Sequence, residues 1–429
     1  MAQTNSKNTV TLEIDALSYG PYGIGRADGK AVMVPHTAPG DRVEARIIES
    51  NERYDIGALV RLIDSSPRRQ VPPCGYIGTC GGCSWQHLRY DAQLQAKQKS
   101  VDDALRRIGK LDGFELTAII PSADEFHYRR RIRLQIGADN RLGFYGAASY
   151  QVIEIAACLI ADERLNSALE ILRPWTRALN TAVDSLEIVS GDEPGEIVAV
   201  AVTAGPFSPR DAAACANLIS PGGAVGGVIF TGADGRRTWG DPRISVKLRG
   251  GLSLVVDADV FTQVNPGGNL RILAELFRAG DFQKGDRVLE LYCGAGNFTL
   301  PLARECKEIV AVDGDRAAIA NGKLNAQRNA IENIRWMSAA VPKAAAQLAH
   351  RREKFAKIIL DPPRSGSKGI ESHLAALDAE KIFYVSCNPA TLARDLAALA
   401  RHGYKLGKVQ PIDLFPQTFH VEALAVMER

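Results

Sequence analysis

The chain has 429 residues and a formal net charge of +3, from 52 basic and 49 acidic side chains. That balance excludes a histone-like polycation and an acidic solvating tail, and a composition 46% hydrophobic and 24% charged excludes a disordered chain. At about 150 residues per domain, the length predicts two or three domains with cores that need no disulfide staples. No apolar run approaches the roughly 18 residues of a membrane span. The opening MAQTNSKNTV lacks the basic start and apolar stretch of a secretory signal, so the expected location is the cytoplasm.

Residues 9 to 64 read as short strands, TVTLEIDAL, KAVMVP, DRVEARIIE and IGALVRLI, punctuated by turns such as SYGPYGIGR. Five strands in so short a span predict a small closed barrel of the OB type, a fold that often binds oligonucleotides. Seven basic and nine acidic residues over 1–66 mean that the barrel itself is no basic patch.

A proline-bearing linker, PRRQVPP, leads into Cys74, Cys80 and Cys83. Eight cysteines are too sparse for a disulfide scaffold in a chain this long. The tight trio points instead to metal, either zinc or iron–sulfur, and spacing alone does not choose. Residues 67–133 hold twelve basic and seven acidic side chains, an excess concentrated in Arg129, Arg130, Arg131 and Arg133. Alternation on a strand places Arg129, Arg131 and Arg133 on one face, a predicted phosphate rail for RNA. The stretch 185–205 reads as a hairpin of a second β-rich domain.

From about residue 284 the pattern changes to short apolar strands separated by helical stretches, which predicts a parallel α/β sheet covered on both faces. The strand VLEL runs into Tyr292-Cys293-Gly294-Ala295-Gly296-Asn297, and the next strand ends in Asp313. Glycines there let a nucleotide-like ligand approach the backbone, and Asp313 is placed to accept from ribose hydroxyls. The position of a third glycine is Thr299, which argues against a dinucleotide fingerprint. Strand KIIL ends in Asp361-Pro-Pro-Arg, and strand KIFYV ends in Ser386-Cys387-Asn388-Pro389. Asn388 and Pro389 suit a helix cap, so Cys387 sits before a helix N-terminus whose dipole is expected to lower its pKa toward a nucleophilic thiolate. Glu422 lies in the apolar run VEALAVM, where burial raises a carboxyl pKa and suits it to act as a base. A methyl donor, a thiolate and a base fit methylation at uracil C5, because C5 becomes nucleophilic only after a thiolate adds at C6.

These motifs together, ELYCGAGNFTLPLA, DPPRSG, SCNPATLARDL and DLFPQTFHVE, resemble those of the RNA 5-methyluridine methyltransferase family, in particular its 23S ribosomal RNA branch. The resemblance covers nearly the whole chain. It implies an N-terminal OB-like TRAM barrel (8–66), a central α+β iron–sulfur domain that binds RNA (72–90 and 121–258), and a C-terminal Rossmann-like class I methyltransferase domain dependent on S-adenosylmethionine (SAM) (91–120 and 259–429). It implies Cys387 as nucleophile, Glu422 as base, and Gln263, Tyr292, Gly294, Gly296, Asn297, Asp313 and Asp361 around SAM and uracil. It also implies a [4Fe–4S] cluster on Cys74, Cys80, Cys83 and Cys158, and RNA as the substrate; nothing in the sequence suggests more than a monomer. Methyltransferases often hold adenine with an acidic residue after the third strand; WMSAAVPKAAAQLAHRR has none, so that contact stays unassigned. Three other readings are weighed. The tRNA branch of the family is expected to lack barrel and cluster. A radical methylthiotransferase resembles a C-x3-C-x2-C pattern rather than the C-x5-C-x2-C found here. A non-catalytic RNA-binding assembly factor would not need Cys387, Glu422 and Asp361 together.

Overall fold

Alternating burial closes the N-terminal strands on themselves. The structure is a computed structural model describing residues 8–137, 140–219 and 223–429; residues 1–7, part of the stretch read above for a secretory signal, lie outside the described residues. Strands β1 (Thr9–Leu17), β2 (Tyr22–Ala27), β3 (Lys30–Pro35), β4 (Arg42–Ser50) and β5 (Tyr54–Asp64) form a closed barrel in the order β1-β2-β3-β5-β4. Its core is small, with Leu12, Ile14, Val32, Val34, Val43 and Ala45 buried. The expected OB-like barrel is therefore present.

The helix Tyr90–Asp103 and the short β6 (Glu115–Leu116) follow. A seven-stranded sheet comes next, built from β7 (Arg131–Ile136), β8 (Leu142–Tyr145), β9 (Val152–Glu154), β10 (Val183–Ser190), β11 (Ile197–Thr203), β12 (Gly227–Gly232) and β13 (Gly235–Gly240). The stretch read as a hairpin is β10 paired antiparallel with β11. The hairpin β14 (Arg243–Lys247) and β15 (Ser253–Asp257) leads into the last part of the chain.

The C-terminal part contributes β16 (Arg287–Leu291), β17 (Glu308–Asp313), β18 (Ile334–Ser338), β19 (Lys357–Leu360), β20 (Lys381–Ser386), β21 (Lys405–Ile412) and β22 (Glu422–Glu428). They form an eight-stranded sheet in the order β18-β17-β16-β19-β20-β22-β21-β6. Both faces are covered over the central strands, so β16, β17, β19 and β20 read as near-continuous apolar runs. Alternate residues divide between two cores: Val288, Ile309, Ile359 and Phe383 on one face, Leu289, Val310, Ile358 and Ile382 on the other. The sheet is not wholly parallel as expected. The last strand, β22, inserts antiparallel to both β20 and β21. Val101, Ala104 and Leu105, at the end of the early helix, join the second core with Leu392 and Leu396, and β6 pairs with β21. Among the described residues no helix is long and apolar enough to cross a membrane.

Candidate active site

The carboxyl ends of the parallel strands bring the chemistry-bearing residues together. Tyr292 to Asn297 follow β16, Asp313 ends β17, Asp361 follows β19, and Cys387 follows β20. Because β22 runs the other way, its first residue, Glu422, lies at this same edge. Ser386 pairs with Ala423, so Glu422 stands beside Cys387.

The loop after β16 turns through left-handed backbone at Tyr292 (φ 65°), Gly294 (φ 54°) and Gly296 (φ 97°). The left-handed backbone favours glycine at Gly296, where a Cβ would also lie tight against the Trp336 ring at 3.0 Å. Asp313 fastens the loop, accepting from the Gly294 amide at 2.8 Å and the Asp315 amide at 2.8 Å. Asn297 exchanges two amide hydrogen bonds with Asn269, each 2.8 Å. The Tyr292 hydroxyl lies 2.9 Å from that of Ser367, and the Gln263 amide donates to Asp361 at 3.3 Å.

Burial governs the acids. Glu422 is 3% exposed, and burial, reinforced by the neighbouring Asp361, pushes its carboxyl well above the usual range against Arg364. Burial raises Asp361 to about 7, with the Gln263 hydrogen bond opposing. Here one expectation is corrected. The Asn388 side chain does cap the helix Pro389–Ala400, accepting from the amides of Ala390 and Thr391, yet the Cys387 thiol is raised to about 11 by burial, with Glu422 and Asp361 adding and Arg364 opposing. A helix terminus is worth about 0.3–1 kcal/mol, less than the roughly 1.4 kcal/mol of one pKa unit, so desolvation and two carboxyls outweigh it. The cation facing the thiol is Arg364, to which the sequence reading assigned no role although it closes the DPPR motif. Its backbone carbonyl accepts from the Asn388 amide at 3.3 Å and the Thr391 hydroxyl at 3.1 Å, tying the proline turn to the helix cap.

The loop between β21 and β22 is held from several places in the chain. Buried Lys97 pairs with Asp413 at 2.6 Å and donates to the Phe415 carbonyl at 3.0 Å. Gln93 and Gln417 exchange hydrogen bonds, Gln93 donating to the Gln417 side chain at 3.0 Å and accepting from its amide at 2.9 Å. The amides of Ser84 and Trp85 donate to the Gln417 carbonyl, and Tyr128 donates to that of Pro416. No local sequence signal marks these contacts, because they join segments about 300 residues apart.

Cys74, Cys80, Cys83 and Cys158 line one cavity of about 250 Å³ with Arg129, Arg133 and apolar side chains. Asn166 brackets Cys158, accepting from its amide at 2.8 Å and donating to its carbonyl at 3.1 Å. Burial pushes the Cys83 thiol up to about 12 and raises Cys80 and Cys158, with neighbouring thiols adding. Among the described residues no three Cys, His, Asp or Glu side chains are grouped for a single metal ion.

The predicted arginine rail is corrected at Arg131, and the wider RNA-contact expectation at Arg130 as well. Arg130 and Arg131 are buried, paired with Asp192 at 2.5 Å and Glu187 at 2.8 Å. The Arg131 guanidinium also donates to the carbonyls of Ala258 and Val260. Burial beside carboxylates, rather than a full set of acceptors, keeps these two from a phosphate in solvent, since Arg130 Nε and Nη1 and Arg131 Nε have no partner among the described residues. Arg133 keeps a 59% exposed side chain, and Arg129 is half-buried beside the thiol cavity.

Comparison with known proteins places this geometry in context. The model of the tRNA (Uracil-5-)-methyltransferase family matches residues 251–429, and that of the TRAM domain matches residues 4–60. The chain is 34% identical to "23S rRNA (uracil(1939)-C(5))-methyltransferase RlmD" of Pseudomonas putida, over 97% of this chain and 93% of that protein. It is 30% identical to an "Uncharacterized RNA methyltransferase" of Clostridium tetani, over 98% of this chain and 96% of that protein. A crystal structure of a tRNA (uracil-54, C5)-methyltransferase of Pyrococcus abyssi with S-adenosyl-L-homocysteine superposes with a TM-score of 0.75 at 24% identity, covering 97% of this chain and 100% of that one. A protein named for tRNA thus shares this fold over nearly its whole length.

Proposed function

The chain belongs to the RNA (uracil-C5) methyltransferase family, and we propose that it methylates C5 of a uridine in 23S ribosomal RNA. Full-length relatives named for that substrate support the reading. The observation that carries it is the antiparallel β22, which sets the buried Glu422 beside Cys387 at the edge where the cofactor loop ends.

SAM, when bound, supplies an electrophilic methyl group and leaves as its thioether. Tyr292, Gly294, Gly296, Asn297, Asp313, Gln263 and Asp361 are the residues we assign to SAM and uracil. The fastened Asp313 and the open, left-handed Gly294 fit a ribose and a closely approaching ligand.

Cys387, partly exposed, gives its proton to solvent, and its thiolate forms a bond to uracil C6, moving the C5–C6 pair into an enolate. C5 uses that pair to take the methyl group. Glu422, as carboxylate, removes the C5 proton; the released pair re-forms the C5–C6 double bond as the C6–S bond breaks and the thiolate returns. Arg364 favours the thiolate form at the start and the end of this cycle.

We read the chain as a TRAM barrel (8–66), a central RNA-binding domain (72–90 and 121–258) and a methyltransferase domain (91–120 and 259–429). Core packing of residues 101–105 on the last sheet supports the split assignment. Four cysteines around one cavity support a thiolate-ligated centre on Cys74, Cys80, Cys83 and Cys158, and the family resemblance makes it [4Fe–4S]. Its role is structural, since the methylation needs no redox step. The protein acts as a cytoplasmic monomer.

The test is release of tritium from C5-labelled uridine in unmodified 23S rRNA, with SAM and a Cys387→Ala control. Release by wild type alone is the expected result. Release only from tRNA would transfer the reading to the second branch, which the shared architecture keeps in play. Silence on both RNAs would leave a non-catalytic RNA-binding factor.

A further inference from the structure

We propose that Tyr19, on the loop joining the first two barrel strands, is a positioning residue for the nucleophile Cys387, so that the barrel forms part of the active site. The proposal rests on the reading of Cys387 given above.

The Tyr19 hydroxyl donates to the Cys387 carbonyl at 2.8 Å, across 368 residues of sequence. That carbonyl lies one residue before the Asn388 cap, outside the hydrogen-bonded ladder of the following helix. The N–H of the same peptide unit donates to the Ser386 hydroxyl at 3.2 Å, so Tyr19 supplies the second tie on the plane from which the Cys387 side chain departs. Burial and the nearby Cys387 and Glu422 raise the Tyr19 phenol, so it keeps the proton it donates.

A second path runs from the same ring. Tyr19 meets Phe419 edge to face at 5.4 Å, and Phe419 lies 4.2 Å from the His420 ring. His420 Nε2 is 3.4 Å from an Arg364 nitrogen, and Arg364 faces the thiol. Tyr19 thus closes a ring of contacts around Cys387, touching its backbone on one side and reaching its counter-cation on the other. Leu17, two residues earlier, and Phe419 both pack against the buried cluster of Ala38, Trp85 and Leu88, which seats the loop. A residue that only docked the barrel would need the ring but not the hydroxyl.

The experiment compares full-length wild type with Tyr19→Phe, which keeps the ring and deletes the donor. Single-turnover methylation of the RNA is expected to slow about tenfold, the cost of one hydrogen bond of about 1.4 kcal/mol, with KM for RNA and SAM unchanged. The melting temperature guards against misfolding, and Tyr19→Leu, lacking the ring as well, is expected to be slower still. An unchanged rate for Tyr19→Phe, or a loss confined to KM for RNA, overturns the proposal. A second readout is independent of substrate: alkylation of Cys387 followed by peptide mass spectrometry. If wild type methylates no RNA offered, the function above fails, yet a threefold or larger change in Cys387 alkylation in Tyr19→Phe still supports the positioning role. Equal alkylation rates then overturn it.

Discussion

Two groups of cysteines in this protein are half-buried, and burial raises thiols in both, Cys387 to about 11 and Cys83 to about 12. They differ in what stands around the sulfur. Cys387 has one arginine and two buried carboxyls and no second thiol. Cys83 has three other thiols around the same cavity and no carboxyl among its neighbours. On the assignments proposed above, the lone thiol beside Arg364 is the nucleophile, and the four thiols around one cavity would serve a shared cationic centre that takes them as thiolates. The difference teaches that a raised pKa alone does not sort one kind of cysteine from the other, because burial raises both and the groups around each sulfur differ.

The largest effect expected from breaking this comparison is at the carboxyl beside Cys387. Glu422→Gln should cut turnover by about 10²–10⁴, the usual worth of a positioned base. The covalent RNA adduct should accumulate, because the methylated ring cannot shed its C5 proton. Denaturing gel shift of labelled RNA reads this directly, and an adduct no more abundant than in wild type would remove Glu422 from the base role.

A smaller effect is expected at the cavity. On the proposed [4Fe–4S] assignment, Cys80→Ala should lose a brown absorbance and bind RNA about tenfold more weakly. Cys83 immediately precedes Ser84, whose amide helps hold the Gln417 carbonyl, so part of the loss should also appear in the methylation rate. Full methylation by protein without chromophore would show that the centre does not support the site.

The smallest effect sharpens the comparison by changing a charge alone. Arg364 holds the Cys387 pKa down, so Arg364→Ala raises it further and lowers the thiolate fraction at pH 8. Alkylation of Cys387 at that pH should slow several-fold, and the rate should converge on wild type as pH rises past about 11. Cavity cysteines serve as the internal reference and should not respond. Arg133 offers a parallel contrast with Arg131. Arg133→Ala should reduce the salt slope of RNA binding by about one, whereas Arg131→Ala should lower the melting temperature by stranding the buried Glu187.

Much of the catalytic edge was legible because each piece is local. A strand, a glycine turn, a proline turn or a helix cap is written in a few consecutive residues, and the strands that carry Asp313, Asp361 and Cys387 end where those signals stand. The arginine run misled for the same reason in reverse. Strand alternation says which residues share a face but not whether that face meets solvent, and Glu187 and Asp192 lie more than fifty residues away. Likewise a helix cap beside Cys387 was readable, while the carboxyls that outweigh it arrive from two other strands.

By itself the sequence determined the barrel, the alternating α/β segment, and the residue types at the strand ends, since short-range periodicity and turn chemistry decide these. Only the tertiary structure decided that β22 runs backward into the sheet and delivers Glu422 to Cys387. It also decided that Lys97 and Gln93 hold the preceding loop, and that a tyrosine from the barrel reaches the nucleophile's carbonyl. Those contacts depend on which distant surfaces exclude water from one another, and burial of that kind is a property of the assembled chain rather than of any window along it.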